Sequence, residues 1–109
     1  MNYNVKLTEN AMEQASKIVA YIADVLMAPE TAQGWSERLK AEIKKLSFMP
    51  GRVPLTEEKP WHDAGIHKLV VQNFFVYFWI DEERREVWVT GIVYYRRDRL
   101  ASLMEMPLQ

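Results

Sequence analysis

The 109-residue chain contains no cysteine, which removes disulfides, thiolate metal sites and thiol catalysis and is compatible with a reducing compartment. It has no apolar run of the roughly 18 residues that a membrane span requires, so no membrane association is expected. The opening residues, MNYNVKLTEN, carry neither a basic leader nor an apolar signal core, and a cytoplasmic location is expected. Internal repeats, low-complexity tracts and linkers are also missing, which predicts one domain over residues 1–109. A serine-hydrolase elbow is absent: Ser16, Ser36, Ser47 and Ser102 fall in helix-like segments. Two histidines, His62 and His67, are too few to make a metal site, and no metal or cofactor is expected.

Charge is scarce in net terms, at −1, so the chain as a whole is not a polyanion binder. It is unevenly placed, however. Arg84, Arg85, Arg96, Arg97 and Arg99 lie in the C-terminal quarter, behind an acidic series that includes Glu57, Glu58, Asp63 and Asp81 to Glu83.

What is present is clear hydrophobic period. Tyr3, Val5 and Leu7 alternate as a short strand. Thr8 reads as a helix N-cap, and Ala11, Ala15, Ile18, Ile22 and Val25 form one stripe of a helix over about residues 9 to 27. Pro29 interrupts it and starts a second helix, with Ala32, Trp35, Leu39, Ile43 and Leu46 on one face. So short a break predicts an antiparallel helical hairpin. Residues 49–65, with three prolines and two glycines, read as a long surface loop. Three strands come next, IHKLVV, FFVYFWI and EVWVTGIVYY, and Asp98 opens a short helix, RLASLM. The expected fold is α+β: an N-terminal strand and a two-helix hairpin on a mostly antiparallel sheet, in the order β-α-α-β-β-β.

Strand alternation puts Phe74, Val76, Phe78 and Ile80 on one face and Phe75, Tyr77 and Trp79 on the other. On the last strand it groups Trp88, Thr90, Ile92 and Tyr94 against Val89, Gly91, Val93, Tyr95 and Arg97. Both faces are apolar, and one helical hairpin covers only one. The other is expected either to bind a partner or to lie beneath the long loop.

The blocks VKLTENAMEQASKIVAYI, LSFMPGRVPL, NFFVYFWID and IVYYRRD, in this order and spacing, resemble the RelE/ParE superfamily of bacterial toxins. The resemblance covers about residues 3–104. It implies a type II toxin–antitoxin module, with a cognate antitoxin as partner and either a homodimer or a toxin–antitoxin hetero-oligomer as assembly. Two activities occur in the superfamily. ParE-like members poison DNA gyrase, and RelE-like members cleave mRNA at the ribosome without a metal.

Carried over by position, Lys68 matches the first lysine of the RelE-like set and Arg97 the arginine after the last strand. The second lysine falls on Val70, the phosphate-clamping arginine on Phe75 and the C-terminal tyrosine on or near Leu103. If the chain is a nuclease, its catalytic candidates are Lys68, Arg97, His67 and His62, the histidines because imidazole suits acid–base work near neutral pH. Alternation sends Lys68 and Arg97 to the open face and His67 to the other. Phe75, Tyr77, Trp79, Tyr95 and Arg96 are the candidates for contacting an antitoxin or target. With two of five nuclease roles retained and little net positive charge, a ParE-like role is expected ahead of a RelE-like one, and a degenerate, non-toxic antitoxin binder is the third reading.

Overall fold

The computed structural model of the chain describes residues 2–72 and 74–94. Strand β1 (Asn4–Leu7) leads into helix α1 (Glu9–Ala20), and α2 (Pro29–Lys44) comes after it. Strands β2 (His67–Val71), β3 (Phe74–Asp81) and β4 (Glu86–Tyr94) complete a four-stranded sheet of order β1-β4-β3-β2. Among the described residues only the β1–β4 pair is parallel, so the sheet is mostly antiparallel and the fold is α+β. The expected short helix over RLASLM lies outside the described residues. No helix among the described residues is long and apolar enough to cross a membrane.

The two helices cover one face of the sheet. Thr8 caps α1 as its sequence position predicts, its hydroxyl accepting from the Ala11 amide at 3.2 Å. Pro29 occupies the first turn of α2, where its missing N–H costs nothing. The whole predicted α2 stripe is buried, from Ala32 through Trp35, Leu39 and Ile43 to Leu46. These side chains pack on Val76, Phe78, Val87, Val89 and Ile92, and Trp35 meets Phe74 with ring centroids 4.7 Å apart. Each aliphatic side chain so buried contributes about 1.5–3 kcal/mol relative to exposure.

The α1 stripe ends sooner than its period implies. Residues Tyr21–Val25 wind as a π-helical turn, with the Leu26 amide donating to the Tyr21 carbonyl at 3.1 Å. A wider turn rotates the next residues of the chain away from the core. Val25 is therefore 64% exposed, and the left-handed Met27 (φ 53°) turns the chain toward α2.

Strand alternation also breaks in β4. Tyr77 pairs with Gly91 but Phe78 pairs with Val89, which leaves Thr90 as the extra residue of a β-bulge. Upstream of it Val87 and Val89 face the helices; downstream Ile92 does, and Val93 faces the opposite side. The grouping of Ile92 with Trp88, and of Val89 with Val93, is thereby corrected.

β1 pairs with β4 only as far as Val89, so β4 loses its neighbour at the bulge. Helix α1 supplies the missing partners. Asn10 Nδ2 donates to the Thr90 carbonyl at 3.0 Å, and one turn later Gln14 Oε1 accepts from the Ile92 amide at 2.8 Å. The chain leaves β1 with the Thr8 amide bonded to the Val89 carbonyl at 3.0 Å. A backbone N–H left without an acceptor at this half-buried junction costs about 1–3 kcal/mol. Replacing Gln14 with alanine should lower unfolding free energy by that amount in urea titration, whereas alanine at Gln33, on exposed α2 surface, should change it by less than about 0.5 kcal/mol.

Candidate functional site

The face of the sheet away from the helices is the one the sequence marks as aromatic. The structure puts the long loop over its centre. Residues 57–65 fold into successive turns, with the His62 amide bonded to the Glu58 carbonyl at 2.8 Å, Ala64 to Pro60 at 3.0 Å and Ile66 to Trp61 at 3.0 Å. Gly65 takes a left-handed conformation (φ 84°) that returns the chain to β2. Trp61 and Ile66 land on Tyr77 and Val93 as a second small core, and Tyr77 is completely buried. Of the three aromatic residues read as a contact row, Tyr77 is thus roofed over by the loop and offers no surface. Phe75 and Trp79 remain half-buried at the margins.

Lys68 lies on this face, as alternation predicts. Its ammonium sits 4.8 Å from the centroid of the Phe75 ring and 3.7 Å from Glu58 Oε1, with both charged side chains about four-fifths buried. Glu58 also accepts the Thr56 hydroxyl, and Thr56 itself is fully buried. The Thr56 carbonyl is bonded by His62 Nδ1 at 2.8 Å. One chain of contacts therefore runs from His62 through Thr56 and Glu58 to Lys68. Glu58 is the member that the sequence places only in an acidic series, without a role of its own. The signal that would have found it is the half-buried lysine on the neighbouring strand, which requires an anion.

His67 does not join this group. It stacks flat on Phe78, centroids 4.9 Å apart and planes 8° from parallel, and its Nδ1 meets the Val53 carbonyl at 2.6 Å. Since a carbonyl only accepts, both histidines must carry the proton on Nδ1. Each fastens the segment running from Val53 to Thr56, which lies along the edge of β2 through the Thr56–Ile66 and Lys68–Pro54 backbone bonds at 2.8 and 3.1 Å. Arg97, Arg96 and Tyr95 lie outside the described residues.

On the far margin of the face, Lys6 Nζ contacts Glu86 at 2.7 Å and lies 5.4 Å from the Trp88 ring centroid, while the Trp88 indole donates to Glu86 at 3.1 Å. The hydrogen bond from Lys6 holds the Glu86 carboxyl below its ordinary value of 4.5, assisted by Trp88. Across the adjoining turn, Tyr3 donates to Glu82 at 2.5 Å, which raises its hydroxyl above the usual range.

Chemically, the group offers one lysine already neutralised by an internal carboxylate, one histidine turned to loop fastening, and an aromatic ring beneath the cation. Among the described residues it contains no free pair of cations to hold a phosphate.

No family model matches this sequence, and no curated protein does either. Solved structures do. A chain of the chromosomal ParDE toxin–antitoxin system from P. aeruginosa superposes with a TM-score of 0.71 at 20% identity, over 84% of this chain and 95% of that one. A chain of the toxin–antitoxin complex RelBE2 from Mycobacterium tuberculosis gives 0.57 at 21% identity, over 86% and 99%. A double-arginine mutant of the E. coli toxin RelE in its free state gives 0.62 at 14% identity, over 96% and 98%. The chain has the RelE/ParE toxin fold.

Replacing Trp61 with alanine should cost about 3–5 kcal/mol and speed proteolytic cleavage within residues 57–65, read by limited digestion alongside denaturant unfolding. The Glu86 contribution has a folded value depressed below 4.5, so it is present above that value and is lost as pH falls through the folded one. Lys6→Met should therefore flatten the decline of stability with acid below pH 4.5, measured by thermal melts across the range.

Proposed function

We propose that the chain is the toxin of a type II toxin–antitoxin module, held inactive by a cognate antitoxin, and that it inhibits DNA gyrase in the ParE-like manner. The fold it shares with chains of ParDE and RelBE2 assemblies supports the first part. One observation carries the second: Phe75 stands where the resemblance places the phosphate-clamping arginine, and the nearby cation, Lys68, rests on that ring already ion-paired to Glu58.

Metal-free RNA cleavage requires a base for the 2′-hydroxyl, cations for the phosphorane charge and an acid for the leaving oxygen. Here His67 lies on the opposite side of β2 from Lys68, against Phe78, and His62 is bound to the loop backbone. A protein target needs none of that chemistry. It needs a stable scaffold that presents surface, which the helical hairpin provides, and the sequence adds a basic C-terminal end.

Induced expression in a bacterial host separates the readings. Growth arrest with a DNA-damage response, intact transcripts and relief by a gyrase variant is the expected result. Transcript cleavage at ribosomes would instead establish the RelE-like endonuclease. Normal growth with antitoxin binding retained would identify a degenerate member.

A further inference from the structure

A cavity of about 1030 Å³ opens between the tip of the helical hairpin and the end of the sheet. The π turn forms one wall with Tyr21 and Leu26, α2 forms another with Gly34 and Trp35, and Phe74 and Ile92 close it from the sheet. Three separate features leave this space unfilled. First, the π turn swings Val25 out to 64% exposure. Its spacing from Ile18 and Ile22, which also line the cavity, would turn it inward in an α-helix. Second, Gly34 stands inside α2, where glycine weakens a helix relative to alanine, and a Cβ added there meets nothing within 4 Å. Third, Trp35 is only 6% exposed, and its indole N–H has no acceptor among the described residues. A buried donor left without a partner is uncommon because it is costly.

Each feature is unfavourable for the chain alone, and one occupant accounts for all three. We infer that the cavity is a binding site for a small, uncharged, planar aromatic molecule that bears a carbonyl oxygen. The rings of Tyr21, Trp35 and Phe74 favour an aromatic guest over a flexible chain, since tilted and offset ring pairs gain more than the area they bury. Trp35 and Phe74 already meet in this way, their planes 58° apart. The bare backbone at Gly34 lets a flat face come close to α2. A carbonyl carried in beside Trp35 accepts from the indole N–H. That N–H is closed to solvent, so the indole turns as the ligand enters and its resonance reports the event. Charge narrows the choice further. Among the described residues no carboxylate lines the cavity, and the one lining cation, Lys17, is largely exposed and paired with Glu13 at 3.4 Å. A cationic ligand finds no counter-charge there, and an anionic one gains little from a screened surface pair. Mostly apolar walls with a few polar groups, around a space at the upper end of about 300–1,000 Å³, are the usual make-up of a small-molecule site.

The site does not depend on the proposed toxin role, and its test needs no partner protein. The full chain is titrated with indanone, which is planar and carries one carbonyl, and with indane, the same ring skeleton without the oxygen. Binding is read by proton–nitrogen NMR, the Trp35 indole signal being identified through Trp35→Phe. Indanone should bind, move the indole signal downfield and shift the amides of the π turn, of α2 around Gly34 and of Ile92. Indane should bind at least fivefold more weakly and leave the indole signal without that downfield move. Gly34→Leu fills the cavity from α2 with a stronger helix former, so it should raise the melting temperature and weaken indanone at least tenfold. Should that variant fail to fold, the comparison of the two ligands on the native chain decides alone. No binding of indanone, equal binding of both ligands, an unmoved indole signal, unchanged affinity in folded Gly34→Leu, or shifts confined to other surfaces would each overturn the inference.

Discussion

The fold depends on how one exposed strand edge is closed. β4 is the long central strand, but its parallel neighbour departs at Val89, just where Thr90 bulges. Helix α1 crosses that gap and offers Asn10 and Gln14, four residues apart and thus on one face, to a carbonyl and an amide of β4. These two contacts hold the hairpin to the sheet at a definite height and angle. They also commit the bulge, and with it the side of the sheet to which each described residue of β4 beyond Thr90 turns. Ile92 goes to the helical core and Val93 to the aromatic face because of polar side chains on another element.

The consequence on the aromatic face is a small second core rather than an open platform. A row of three aromatic residues could have been an uncovered docking surface. Instead Trp61 and Ile66 cover its middle residue, and a string of polar contacts from His62 to Lys68 ties the covering loop down. The apolar surface left open lies on the other layer, between the helices, where packing is incomplete. The two layers thus exchange the roles their compositions imply.

Much of this was legible in the residues. The stripes at Ala32 to Leu46, the Thr8 cap, the proline start of α2 and the alternation in β3 are local patterns with local causes, and each holds. What escaped is what no local window contains. The bulge at Thr90 has no glycine at the extra residue and depends on Gln14, 78 positions from its partner Ile92. The π turn at Tyr21–Val25 shows no break in hydrophobicity, only a change of winding that turns Val25 outward. Glu58 looks like any loop glutamate until β2 brings Lys68 beside it. In the loop itself, Trp61 belongs to no hydrophobic period, and only the folded chain shows it buried on Tyr77.

The two histidines hold the Val53–Thr56 segment through Nδ1–H donors to backbone carbonyls. Both rings grip main-chain oxygens, not side chains. The hold on Val53 and Thr56 is therefore blind to which residues occupy the segment, provided the backbone path is kept. The clasp leaves the sequence of the strip it fastens free to vary, while fixing where that strip runs along the edge of β2.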